Sequence, residues 1–409
     1  MSRAWRPALL AAAGVAAITV GLLLARPSVH RAAPRVLPDV GGRIILAAAT
    51  ASSARRSPLR NASIITELGR TLPDRIELLL LTNDRAAFTL MSHERRVRFV
   101  ELPAEVPLTI WPQDPFLVLR LPGGEHALLA SRDFERAEDR EMARALATEL
   151  GWELRSSPLY FEGGNIASDE SVIFLGADTV VRNVVDLELE PAEIVHRFEE
   201  LLGAPVVVLG PSPQPIAHID LAFTPLGGGR VVVADARWGA DLVSASLNDT
   251  PEIAAQFEER TRAFFFGHPE IERLLLADGS ELEAPDLAQQ TRLAVDASLG
   301  VAPLLDGIAE GLRSQGYQVE RVPLLVGAKP PNGDSGPGYP MLSYNNVLLE
   351  SLEGEERVYL PRYGFAPLDD AATSAWQSFG FEVVVIDGLA TSAMYGGALR
   401  CAVKVLARE

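Results

Sequence analysis

The stretch Pro191–Pro211, PAEIVHRFEELLGAPVVVLGP, reads as two elements joined by a stop. Apolar residues at helical spacing run up to Gly203, and a β-branched strand-like run, Val206–Leu209, follows. That is the helix end and strand start of an αβ unit. The same pattern begins at Ala62 (ASIITELGRTLPDRIELLLLTND), Arg140 (REMARALATELGWELRSSP), Pro303 (PLLDGIAEGLRSQGYQVERVP) and Leu368 (LDDAATSAWQSFGFEVVVIDG). From Arg140 onward each copy breaks at a glycine. Ser171–Val181, Leu221–Asp235 and Asn346–Pro361 each read as two β runs around a turn. The repeat is therefore roughly ββαβ, five times over. Units that cannot bury their own faces pack against neighbours around a common centre, so the expectation is an α/β propeller. An ordinary open α/β sheet would also alternate strands and helices, but no glycine fingerprint of the dinucleotide or P-loop kind supports it.

The chain has 409 residues, 48% hydrophobic and 22% charged, enough for a large core. Arg3 and Arg6 precede an uncharged Ala/Leu/Val/Gly run, Pro7–Ala25, which reads as an export signal or a retained membrane anchor. A Pro/Arg/Ala-rich tether reaches about Val40. The expected organisation is thus residues 1–40 as signal or anchor plus tether, and 41–409 as one catalytic domain. Residues 237–301 form an insertion with acidic helical stretches near Pro251–Phe266 and Pro285–Asp296. The expected location is periplasmic or extracellular, with the membrane touched only through the N-terminal segment. A net charge of −17 makes nucleic acid a poor partner and suits a cationic ligand. Cys401 is the only cysteine, so an exported chain has no internal disulfide and carries one free thiol.

Four segments place acid, base and nucleophile candidates beside glycine or proline at strand ends: Trp111-Pro-Gln-Asp114, Phe161-Glu162-Gly163-Gly-Asn165, His218-Ile-Asp220 and Gly396-Gly-Ala-Leu-Arg-Cys401. In a strand, His218 and Asp220 would share a face. Singly, each has a plainer reading: Trp111 as core, Asp114 as a turn former, Glu162 as a solvated carboxylate, Gly163-Gly164 as a turn, Cys401 as a small buried hydrophobe. No His-Glu-x-x-His or paired-cysteine spacing suggests a metal.

Taken together and in this order, the four segments resemble the signatures of the guanidino-group-modifying enzymes of the pentein fold, from about Leu102 to the C-terminus. These include agmatine deiminase and the bacterial peptidyl-arginine deiminase family. Ser343-Tyr-Asn-Asn346, leading through Val358–Pro361 to Asp369 and Asp370, is similar to a further segment of that branch. The resemblance implies five ββαβ units around a pseudo-fivefold axis. It also implies that Asp114 and Asp220 grip guanidinium N–H groups and that Cys401 attacks the central carbon. His218 would move protons with Glu162 beside it, and Trp111, Asn346 and Gly163 would line the substrate. No cofactor or metal is implied. The activity would be hydrolysis of agmatine-like small molecules or of arginyl peptides, and export favours the peptides. An anchored domain that binds a cationic ligand without turnover, or an amidinotransferase, are the alternatives. Two departures stand out, of which the first bears on substrate identity and the second, shared with arginine deiminases, leaves the chemistry in place. Gln113 stands where the agmatine deiminase pattern has Arg, and Arg400 where it has His.

Overall fold

The computed structural model describes residues 33–51, 62–86, 97–106, 108–136, 139–266, 287–327, 339–352, 354–393 and 395–409, so the apolar run Pro7–Ala25 lies outside it. Among the described residues no helix is long and apolar enough to cross a membrane.

The described strands form five small sheets of three or four strands. Each sheet holds an antiparallel pair, one or more helices, and a third strand parallel to the second. Phe116–Arg120 pairs antiparallel with His126–Ala130, and after helix Arg140–Leu150 the strand Glu153–Ser156 returns parallel. Ile166–Ser168, Ile173–Gly176 and Val206–Leu209 repeat this with helices Ala177–Leu187 and Pro191–Leu202. Phe223–Gly227, Arg230–Asp235 and Gln318–Leu325 make the third unit. Leu348–Leu352, Glu355–Pro361 and Phe381–Ile386, with helix Ala366–Ser378, make the fourth. The fifth draws on both ends of the chain: Val403–Arg408 lies antiparallel to Ile44–Ala51, and Glu77–Thr82 follows parallel after helix Ala62–Thr71. In each of these units the second and third strands, which are parallel, are joined through helix, the long crossover that parallel pairing requires.

The glycine breaks read in the sequence have a backbone reason. Gly151 and Gly203 cap their helices in the left-handed region, at φ 67° and 77°, and Gly316 and Gly380 lie at φ 91° and 94°. Only glycine adopts these angles without strain, so the chain leaves each helix there and enters the strand.

Three expectations need correction. Ser171–Val181 is not a hairpin: Ile173–Gly176 pairs with the preceding Ile166–Ser168, and Ala177–Leu187 is helical. Its β-branched residues favour a strand locally, but Thr179, Val180 and Asn183 turn a helical face into the core, and that burial overrides the propensity. The fold also begins before Val40, because Arg35–Val36 pairs with Leu119–Arg120 and Asp39 Oδ2 accepts from the Ser168 amide at 2.9 Å. Finally, the described residues of the expected insertion are largely helical as read, but the helix read as starting at Pro303 begins before it. Helix Ala236–Asp249 is capped by Asp235, Pro251–Phe266 follows as read, and Leu287–Ser314 carries Pro303 inside it rather than at its start. The first of these helices sits tightly on the third sheet, where a Cβ at Gly239 would overlap the Leu324 carbonyl. The long helix contributes Ala302 and Leu305 to the apolar cluster that surrounds Cys401, with Ile216, Ala222, Ala236 and Leu324. It therefore walls the surroundings of that thiol.

Candidate active site

Each of the five units contributes one segment, and always from the same place, just before its first strand. Trp111–Asp114 precedes Phe116–Arg120. Glu162 opens a 3-10 turn, Gly163–Asn165, before Ile166–Ser168. His218 is extended and opens a second 3-10 turn, Ile219–Leu221, before Phe223–Gly227. Asn346 lies before Leu348–Leu352, and the short helix Leu399–Ala402 carries Cys401 into Val403–Arg408. His218 and Asp220 are thus on a turn rather than in a strand, so the period-two argument for their shared face does not hold. The turn brings both inward instead, because Asn165 Oδ1 accepts from the Ile219 amide at 3.1 Å and Ser343 Oγ donates to the Leu221 carbonyl at 2.6 Å.

The candidates converge. His218 Nε2 is 2.7 Å from Glu162 Oε2, and His218 Nδ1 is 3.6 Å from Asp114 Oδ1. Cys401 Sγ is 3.8 Å from Asp220 Oδ2. Asn346 holds the cysteine from both sides of its amide, with Nδ2 donating to Sγ at 3.2 Å and Oδ1 accepting from the Cys401 N–H at 3.1 Å. The same Nδ2 reaches the Asp220 carbonyl at 3.3 Å. Trp111 packs over Gly397 so closely that a Cβ there would overlap the indole ring. Gly163 serves by its lack of a side chain, since a Cβ would strike the Gln113 carbonyl, while Gly163 N–H donates to the Asp114 carbonyl at 2.9 Å. At Gly164 a Cβ would overlap His218 Nδ1, and its N–H donates to Asp114 Oδ1 at 3.3 Å.

Two runs of alternating charge organise these groups. In the first, Asp139 and Asp114 share Arg136, at 2.6 and 2.8 Å, and Asp114 passes on to His218 and Glu162. In the second, Arg400 joins Asp39 at 2.9 Å to Asp220 Oδ2 at 2.8 Å. Asp220 is 1% exposed, and its Oδ1 is buried without a hydrogen-bond partner. A buried acceptor left unpaired carries a penalty of about 1–3 kcal/mol, which a donor entering the site would relieve.

The electrostatics follow from these contacts. Burial alone would pull the His218 imidazole down, but Asp114, Glu162 and Asp220 outweigh it and push it up to about 9. Burial favours the neutral form of Glu162, yet the bond and charge of His218 hold it below the usual carboxylate value. Burial raises the Asp220 carboxyl despite Arg400. It also pushes the Cys401 thiol well up, with Asp220 and Asp114 adding to the effect. These contacts favour a protonated imidazole and a neutral thiol at neutral pH. The site is short of positive charge beside the sulfur.

Sequence reading alone does not find Asp39 or Lys404, gives Asn165 no role beyond its place in the Glu-Gly-Gly motif, and offers Arg136, with Arg132, only as a candidate carboxylate clamp outweighed by a surface-helix reading. Arg136 reads as a surface helix residue, but it precedes the helix and ties Asp114 to Asp139. Asn165, one residue beyond the Gly-Gly pair, had the signal of that motif. Asp39 had none, since its partners Ser168 and Arg400 are distant in the chain.

No protein-family model and no curated protein sequence matches this chain. Solved structures match it in shape. Agmatine deiminase of C. jejuni, as a cysteine-to-serine variant with substrate bound, superposes with a TM-score of 0.60 at 12% identity, covering 91% of this chain and 96% of that one. A protein provisionally described as a peptidyl-arginine deiminase gives 0.58 at 15% identity, covering 92% and 99%. Agmatine deiminase of Enterococcus faecalis gives 0.56 at 11% identity, covering 92% and 96%. At these identities the likeness is one of fold.

Proposed function

Given that the chain has the pentein fold shared by guanidino-group-modifying enzymes, we propose that it is a deiminase. It would hydrolyse the guanidinium of an agmatine-like molecule or of peptidyl arginine to a ureido group and ammonia through a covalent intermediate on Cys401. The five sheets are then the blades of a propeller around a pseudo-fivefold axis, and the five converging segments are its active site. The observation that carries the reading is the unpaired buried Oδ1 of Asp220 beside the Cys401 thiol, an acceptor set where a planar cation with five N–H donors would lie.

In this reading the guanidinium places N–H groups on Asp220 Oδ1 and on Asp114, whose Oδ2 exchanges Arg136 for substrate. Trp111 and the Gly163 backbone bound the slot. The incoming cation supplies the positive charge the sulfur lacks, so the thiol releases its proton to solvent as the substrate enters and the Cys401 thiolate attacks the central carbon. The S–C bond forms as the C=N π pair moves to nitrogen. His218, protonated in the empty site, donates a proton to one nitrogen, and ammonia leaves as the C–N bond breaks, giving an S-linked amidino intermediate. His218, now neutral, takes a proton from water, whose oxygen attacks the same carbon. The S–C bond then breaks as the hydroxyl proton passes to the departing sulfur, releasing the ureido product and restoring the thiol and the protonated His218. Glu162 holds the imidazole in position throughout. Asn346 orients the sulfur.

The N-terminal run Pro7–Ala25 supports the placing of this activity outside the cytoplasm, where arginyl peptides are the suitable substrates. The reading is tested by incubating the full chain with agmatine, free arginine and arginyl peptides and assaying ammonia and ureido product. Turnover of at least one, abolished in Cys401→Ala, is the expected result. Saturable binding of a guanidino compound with no product would instead support a binding domain.

A further inference from the structure

The strand Val403–Arg408 that follows Cys401 carries two cations into the interior of a strongly acidic chain. Lys404 and Arg408 are 5% and 8% exposed, and Arg400, one residue before the thiol, is 8% exposed. All three line one cavity of about 40 Å³, with Asp39, Gln113, Ile166 and Ser168 among the other walls. His218, Glu162, Asp220, Asp114 and Cys401 do not line it, so it is a separate space from the candidate active site.

Three cationic side chains and one carboxylate line this cavity, with Asp220 behind Arg400. Asp39 is the carboxylate in its wall, and it is fully engaged: Oδ1 takes Arg400 Nε and an Arg400 terminal nitrogen at 3.1 and 2.9 Å, and Oδ2 takes the Ser168 amide. Arg408 donates to the carbonyls of Gly41, Leu349 and Asp39, but its Nε is buried with no acceptor. Lys404 has three donors and makes one hydrogen bond, to the Gln113 carbonyl at 3.3 Å, with the Phe116 ring 5.4 Å away. A buried ammonium so poorly paired is costly, and burial accordingly pulls Lys404 down to about 7. Water offers the cavity oxygen lone pairs but no net charge. An anion offers both, and a space of this size, several times that needed for one water, admits one.

We propose that this cavity is a binding site for a small inorganic anion, held by Lys404, Arg408 Nε and Arg400. Because Arg400 also holds Asp220, the site adjoins the catalytic groups through a single side chain, and occupancy would brace the salt bridge that orients that carboxylate. The site stands whether or not the chain is a deiminase.

The test uses the full chain and inorganic phosphate, titrated at constant ionic strength while the thermal midpoint is read. The wild type should show a saturable rise. In Lys404→Met, checked for native circular dichroism, the apparent affinity should fall roughly tenfold or more, as loss of a desolvated charge partner entails. In His218→Asn the rise should remain, since the candidate active site is not where phosphate binds. An equal rise in wild type and Lys404→Met overturns the proposal. A second measurement is independent of variants: wild-type crystals soaked in bromide should show anomalous density between Lys404 and Arg400, and its absence at saturating bromide overturns the proposal too.

Discussion

At the scale of residues, the site is governed by one imidazole between two carboxylates. Glu162→Gln removes both the charge and the strongest acceptor of His218, so the titration of that ring by NMR should move down from about 9 towards 6.5, and turnover should fall about 10²-fold or more. The same shift has a stability sign. His218 is raised from 6.5 to about 9, so its stabilisation is complete below 6.5 and is lost as pH rises through 9. Lys404 is depressed from 10.5 to about 7, so its penalty is complete below 7 and is released as pH rises towards 10.5. The two oppose each other in the alkaline range. Lys404→Met should unmask the histidine, and its thermal midpoint should fall more steeply than that of the wild type between pH 6.5 and 9. The raised thiol makes a further prediction: Cys401 should react slowly with a neutral haloacetamide at pH 7 and faster with a cationic haloamidine of similar size. Cys401, His218, Glu162, Asp114 and Asp220 were legible in the sequence because each is a chemical type rare beside glycine or proline and their order matches a known set. Asp39 and Lys404 were not, since an ordinary aspartate or lysine acquires its meaning here only from partners across the fold.

At the scale of elements, the decisive pieces are short turns before strands, and glycine sets their spacing. Gly164→Ala would push a methyl into His218 Nδ1 and towards Asp114. Displacement by about 1 Å typically costs about 10²-fold in rate, so activity should fall by that order while the thermal midpoint changes little, because side chains can yield there. Gly163→Ala meets the backbone carbonyl of Gln113 instead, and should lower the midpoint as well. A variant pair behaving the opposite way would contradict the geometry. The helix-to-strand joints at Gly151, Gly203, Gly316 and Gly380 were readable because helical periodicity and a left-handed cap are local signals. The His218–Asp220 turn and the helix Ala177–Leu187 were not. In both, a β-branched or alternating pattern is overruled by hydrogen bonds and burial supplied from outside the segment, by Asn165 and Ser343 in the first and by the core in the second.

For the whole molecule, five repeats could be counted from the sequence, but the joining of its ends could not, since nothing local pairs Ile44–Ala51 with Val403–Arg408. That pairing makes the fifth unit depend on both termini and places Cys401 one turn from the joint. The segment before it matters equally. A chain begun at residue 41 loses the Arg35–Val36 strand and leaves buried Arg400 without Asp39, a broken ion pair of the kind that costs about 3–5 kcal/mol. It should therefore be clearly less heat-stable and less active than one begun at residue 33. Equal stability would deny residues 33–40 that role. The central claim, that the five units assemble a guanidinium hydrolase around one thiol, is tested most directly by quenching the full chain with agmatine or an arginyl peptide in acid and measuring the intact mass and peptide map. The account predicts a transient adduct of an amidino group on Cys401, formed with release of ammonia and absent in Cys401→Ala. Ureido product formed at an unchanged rate in Cys401→Ala, with no adduct on the wild type, would contradict it.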